Sequence, residues 1–216
     1  MSDFFPKWAN RLPRQIAVGG ILAASLVTAG IWYYFTPKYT RVGYQPIQPV
    51  PYSHAVHVGQ LGLDCRYCHT GVERSWYANV PSSSVCMNCH KQVLPNDPRL
   101  ELVRNSAKSG EPIGWVQIHL TPDFVYFNHA VHVNRGVSCV SCHGQINELT
   151  EVREEKSLAM FFCLECHRNP APNLRPLNQV YNLAWSIDPQ MQQDMGTRFV
   201  HDWKINSPQY CSTCHR

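Results

Sequence analysis

All ten cysteines of this chain fall in Cys-x-x-Cys-His pentapeptides, at Cys65/Cys68/His69, Cys86/Cys89/His90, Cys139/Cys142/His143, Cys163/Cys166/His167 and Cys211/Cys214/His215. Five such pentapeptides with no thiol left over form the attachment signature of c-type haem. The spacing suits that chemistry because two thiols add across the two vinyl groups of one porphyrin, while the adjacent imidazole reaches the iron from the face it already covers. Cys-x-x-Cys alone also suits a tetrahedral zinc site or a redox couple. Neither alternative explains why histidine follows directly in all five cases. The reading is five covalently bound haem c, with those ten thiols as attachment points and His69, His90, His143, His167 and His215 as proximal iron ligands.

That cofactor load limits what the rest of the chain can build. With the first 40 or so residues set aside, only about 180 of the 216 remain to enclose five haems. Too little chain is left for a large side-chain core, so the macrocycles must supply the apolar interior. The expected fold class is a multihaem cytochrome c, mostly irregular and haem-packed, with short helices, few strands and an apo-chain that does not fold. The 16 prolines, concentrated in 45–51 and 169–176, agree with long irregular stretches. Trp76, Trp115, Trp185 and Trp203 are read as apolar filling against the porphyrin faces. The formal charge of +4 does not indicate a polyanion-binding surface. About ten propionates, set against about one positive charge per ferric porphyrin, bring the loaded protein near neutrality. No basic cluster interleaved with aromatics is present, so nucleic acid is excluded as a partner.

Haem c is attached outside the bacterial cytoplasm, where ten free thiols would otherwise oxidise. The haem-bearing part is therefore expected on the periplasmic side. Ile16 to Phe35 are twenty uncharged positions, long enough to cross a hydrocarbon core as one helix. Lys7, Arg11 and Arg14 precede this stretch, and Trp32, Tyr33, Tyr34 and Phe35 close it at the far interface. The positive-inside rule then leaves 1–15 in the cytoplasm, makes 16–36 a single-pass anchor in the bacterial inner membrane and exports the remainder, although Lys38 and Arg41 lessen the charge asymmetry. A cleaved signal peptide shares the charged lead, and Val27-Thr28-Ala29 offers a cleavage site. Apolar length and the aromatic belt favour a retained anchor. Gly20, Ala24 and Thr28 repeat at four-residue spacing, a pattern that admits a second helix closely.

A Pro-rich linker, 37–51, leads into a part that repeats itself. Tyr-Ser-His-Ala-Val-His-Val at 52–58, followed by the first attachment motif, is echoed by Tyr-Phe-Asn-His-Ala-Val-His-Val at 126–133, followed by the third. Each echo leads some twenty residues later to another motif, at Cys86 and at Cys163. The description is two di-haem modules, 52–125 and 126–180, and a fifth-haem segment, 181–216. Two imidazoles three positions apart on a helical turn project in neighbouring directions, so each can serve a different iron. His54, His57, His129 and His132 are thus distal-ligand candidates. For the fifth iron Met160 leads, with His201 and His119 as alternatives, His119 being equally suited to hydrogen-bonding a propionate.

The stretches Tyr44 to His57, Leu63 to Thr70, Pro122 to Val133 and Cys211 to Arg216 resemble the pentahaem cytochrome c subunit of bacterial alternative complex III, over nearly the whole chain. The resemblance implies a subunit of a quinol:electron-acceptor oxidoreductase. Its partners would be polytopic quinol-binding membrane subunits, an iron-sulfur protein subunit and a monohaem cytochrome c. The expected role is an anchored electron relay that is not an enzyme on its own. Two rivals are a tetrahaem-type quinol dehydrogenase feeding a periplasmic reductase, and a multihaem oxyanion reductase, which needs an open iron.

Overall fold

The computed structural model describes residues 6–35 and 41–215; Lys38, the side chain of Lys7, the start of the linker and Arg216 lie outside them. The chain divides into two compact units, Met1–Arg41 and Val42–Arg216.

In the first unit a 3-10 turn, Lys7–Arg11, runs into α1, Leu12–Phe35. Pro13 stands in its first turn, where a missing N–H removes no helical hydrogen bond. The hydroxyl of Thr28 donates to the Ala24 carbonyl at 2.8 Å, so the stripe carries no unsatisfied hydroxyl. No residue of α1 is buried. Trp8–Phe35 forms a helix long and apolar enough to cross a membrane.

The second unit is made of short helices strung on irregular chain. Its main helices are α2, Ser83–His90; α3, Glu101–Ser109; α4, His129–Val133; α5, Met160–Arg168; and α6, Pro189–Asp202. Three of them, α3, α4 and α6, have a sequence reason to begin or end where they do. Asn128 accepts from Val131 N–H at the start of α4, and Asp188 accepts from Gln190 and Met191 N–H at the start of α6, with Pro189 following. Gly110, at φ +81°, ends α3 in the left-handed region. Among the described residues strand pairing is limited to two isolated bridges, Val125 with His215 and Val137 with Leu174.

Fully buried apolar side chains are few and mostly small: Val50, Val72, Val103, Ile118, Val133, Ala171, Leu174, Val180 and Leu183. One cluster joins Val72, Val133 and Val180, with Ala78 and Tyr181 against it, and so ties together three distant parts of the sequence. Meanwhile Trp76, Phe124, Tyr126, Met160 and Phe161 are all more than half exposed. A protein core of this size does not account for their apolar surface. Of the four tryptophans considered above, Trp203 stacks on Phe199 at 4.1 Å, and Trp185 lies under the Arg175 guanidinium at 5.1 Å.

Candidate haem-binding site

Each attachment motif is a helical turn. In the first, third and fifth, the histidine N–H donates to the carbonyl of the leading cysteine at 2.8 Å, which brings both thiols and the imidazole to one side. The second and fourth motifs instead end longer helices, α2 and α5. All ten cysteines are free thiols, none fully buried. Among the described residues no group of three or more His, Cys, Asp or Glu side chains converges to hold a metal ion.

The histidines upstream of the motifs face the motif histidines in pairs. His54 and His69 have parallel rings, 1° apart, with centres separated by 6.5 Å, and His129 with His143 repeats this at 5° and 6.5 Å. His57 faces His90 at 6.2 Å and 62°, and His132 faces His167 at 6.1 Å and 43°. A ring nitrogen binds a transition metal at about 2.0 Å and lies about 1.1 Å from its ring centre, so two imidazoles on opposite sides of one iron have centres about 6.3 Å apart. The spacing therefore fits a haem iron between each pair. Within each His-x-x-His, one ring faces one motif and its neighbour faces another.

Hydrogen bonds set the tautomers. In six of these rings Nδ1 lies 2.6–3.0 Å from a backbone carbonyl: Ser53 for His57, Asn79 for His69, Val93 for His90, Trp76 for His129, Asn128 for His132 and Pro208 for His167. A carbonyl can only accept, so each Nδ1 carries the proton and each Nε2 keeps its lone pair for a metal. Nδ1 of His143 instead lies 3.2 Å from Nε2 of His119. Nδ1 of His54 is buried without a hydrogen-bond partner. Burial, and after it the neighbouring imidazoles, lowers His54 to about 4 and His143 to about 3. Both are thus in the neutral form that ligates.

Two aromatic residues complete the pattern. Tyr52 lies edge-on to His54 at 4.8 Å and stacks on His57 at 4.5 Å; Phe127 lies edge-on to His129 at 4.8 Å and stacks on His132 at 4.6 Å. Each wedges between the two rings of a His-x-x-His pair and fixes their divergence. The structural counterpart of Tyr52 is therefore Phe127, not Tyr126. The sequence signal was an aromatic two positions before the first histidine of each pair, obscured by the tyrosine at 126.

Neighbouring thiols give the spatial order of the motifs. Burial, followed by nearby Cys86, Cys65 and Cys89, raises the Cys68 pKa. The thiols of Cys65 and Cys139 approach within hydrogen-bonding reach. Cys142 is pushed up to about 11, by burial first and then by Cys166 and Cys163. Cys163 is raised by burial and then by Cys214. Along this path the second motif adjoins the first, the first adjoins the third, and the fourth and fifth follow.

The fifth motif is built differently. Tyr126 N–H donates to the Cys214 carbonyl at 2.9 Å, and the ring of Phe124 lies 5.6 Å from that of His215. Met160 opens α5 with an exposed side chain, three residues from Cys163, the thiol that faces Cys214. His201 is exposed on α6, its Nδ1 3.0 Å from the Asp202 carboxylate. His119 is turned to His143.

The family model described as Cytochrome c3 matches residues 131–216. A curated relative, the "Menaquinone reductase, multiheme cytochrome c subunit" of Nitratidesulfovibrio vulgaris (strain Hildenborough), is 31% identical over 187 residues, spanning 74% of this chain and 87% of the relative.

Proposed function

As the chain belongs to the family of multihaem cytochromes c that includes this menaquinone reductase subunit, we propose that it is a membrane-anchored pentahaem relay linking a quinone-reactive membrane complex to a periplasmic electron carrier. The observation that carries the proposal is the set of four imidazole pairs at 6.1–6.5 Å, each joining a motif histidine to an upstream one.

In this reading His54 with His69, His57 with His90, His129 with His143, and His132 with His167 would each hold one of four haem irons, and His215 with Met160 would hold the fifth. Haem c supplies a one-electron couple at each position. The chain's residues do the rest: the cysteines would fix the macrocycles, the carbonyl-bound imidazoles would fill the iron positions, and Tyr52 and Phe127 hold the two rings of each His-x-x-His pair apart. The two His-x-x-His units with their paired motifs are the two di-haem modules. In this reading the second and the fifth motifs form the two ends of the relay.

Occupied iron positions argue against an oxyanion reductase, and one transmembrane helix cannot enclose a quinone site alone. Quinone chemistry therefore falls to polytopic partner subunits. An iron-sulfur subunit and a monohaem cytochrome c would accompany them in a complex of the alternative complex III type, with the haem unit on the periplasmic face of the inner membrane. The relative's name, a menaquinone reductase subunit, favours a second direction of flow, toward the quinone, whereas a tetrahaem-type quinol dehydrogenase feeding a periplasmic reductase carries electrons away from it.

Mass spectrometry of the isolated chain should find five attached haems, one per motif. Electron paramagnetic resonance should resolve low-spin centres only. Fewer attached haems, or a high-spin ferric signal that binds cyanide, overturns the reading. Potentials above that of the quinone pool indicate flow away from it, and potentials below indicate the reverse.

A further inference from the structure

Resting on the reading that His143 is an iron ligand, we propose that His119 is a positioning residue that orients this imidazole and lowers the potential of the iron it holds. Six axial candidates give their Nδ1 proton to a backbone carbonyl, whereas His143 faces the side chain of His119, Nδ1 to Nε2 at 3.2 Å, with ring centres 4.3 Å apart and planes perpendicular. With Nε2 of His143 on the metal, its Nδ1 is the donor and Nε2 of His119 the acceptor.

The contact is built into the fold. Gln48 of the Pro-rich linker grips the backbone of Val116 twice, accepting from its N–H at 3.0 Å and donating to its carbonyl at 2.9 Å. Two residues on, Ile118 is buried and anchors the segment in the protein interior. The side chain of Gln117 donates to the His119 carbonyl at 3.1 Å. The segment thus delivers His119 to His143 on a clamped stretch of chain. The corresponding ring of the first module, His69, has the Asn79 carbonyl in that place.

The chemical consequence follows from acceptor strength. An imidazole nitrogen is far more basic than an amide oxygen, so it draws the Nδ1 proton further and makes the ligating Nε2 a stronger donor. A stronger donor favours the ferric over the ferrous iron, and hydrogen bonding to the axial ligand is one of the protein's levers on haem potential. The perpendicular contact also holds the ring at the angle that leaves His129 and His143 within 5° of parallel.

The test uses the intact complex and its redox titration. In His119→Phe one midpoint should rise by about 59 mV, the one-electron equivalent of a tenfold loss of ferric preference, while the others stay in place. The anisotropy of one low-spin signal, which follows the angle between the axial rings, should shift with it. In His119→Gln an acceptor is retained at amide strength, and the same midpoint should rise by less than in the Phe variant. This second variant decides the matter if the Phe variant does not take up haem. All midpoints and signals unmoved in a loaded variant overturns the proposal. A separate His143→Ala variant should lose one low-spin signal. If it does not, the ligation reading fails independently of the role given to His119.

Discussion

On the proposed pentahaem reading, Met160 and His201 are the two side chains left to pair with His215. Met160 shares a helical face with Cys163, three residues on, and that thiol faces Cys214 of the fifth motif. His201 instead stands exposed on α6, with Nδ1 against Asp202. The helical face favours Met160. A thioether opposite imidazole raises a haem potential relative to two imidazoles. Met160→His should therefore lower one midpoint and leave the others nearly unchanged, and a redox titration without any shift would remove Met160 from the site. Residue types at this scale were legible, because thiols and imidazoles at fixed spacing admit few chemistries. Their pairing was not, since His54 reaches His69 and His57 reaches His90 through the path of the chain between them. His119 could be nominated only as a ligand or a propionate partner, because its clamp on Val116 begins 68 residues upstream, at Gln48.

Among the elements, α1 was readable from its uncharged apolar length and aromatic end, whereas α6, within the fifth-haem segment, was not foreseen. The His-x-x-His turns were readable as turns but not in their kind: the first is a π-type segment, Ala55–Gln60, and the second the α-helical α4. Gly196 had no visible purpose in sequence. A Cβ there would collide with the backbone of Ala171, so α6 can dock on the turn Ala171–Asn173 only through a glycine. At the other end of the chain, Gly19 and Gly20 meet nothing within 4 Å in the described residues, which leaves the small-residue side of α1 open to a neighbouring helix. Replacing Gly20 and Ala24 together by Leu should weaken retention of this chain in the detergent-extracted complex while leaving its haem content intact. Unchanged co-purification would show that the stripe faces lipid.

At the scale of the whole molecule the segments 52–125 and 126–180 are not separate bodies. The N–H of Ala55, at the start of the first His-x-x-His turn, donates to Leu149 in the second segment at 2.9 Å, and the N–H groups of His129 and Ala130 donate to Trp76 and Ser75 in the first at 3.2 Å. Each segment bonds the start of the other's His-x-x-His turn. Asn134 reaches the Glu73 carbonyl at 2.9 Å, Tyr181 donates to the Glu73 carboxylate at 2.9 Å, and the Arg66 guanidinium lies 4.5 Å over the Tyr181 ring. These contacts are polar and partly exposed, and such pairs contribute little stability on their own. The apolar cluster of Val72, Val133 and Val180 is too small to offset the conformational entropy of ordering the 175-residue unit Val42–Arg216. Stability must then come from the macrocycles, and the unit should order cooperatively as they are attached. Chain produced without haem attachment should lose most of the helical far-ultraviolet circular dichroism of the unit Val42–Arg216 and become fully protease-sensitive beyond residue 41. A protease-resistant, helical apo-unit would mean that the side chains alone carry the fold.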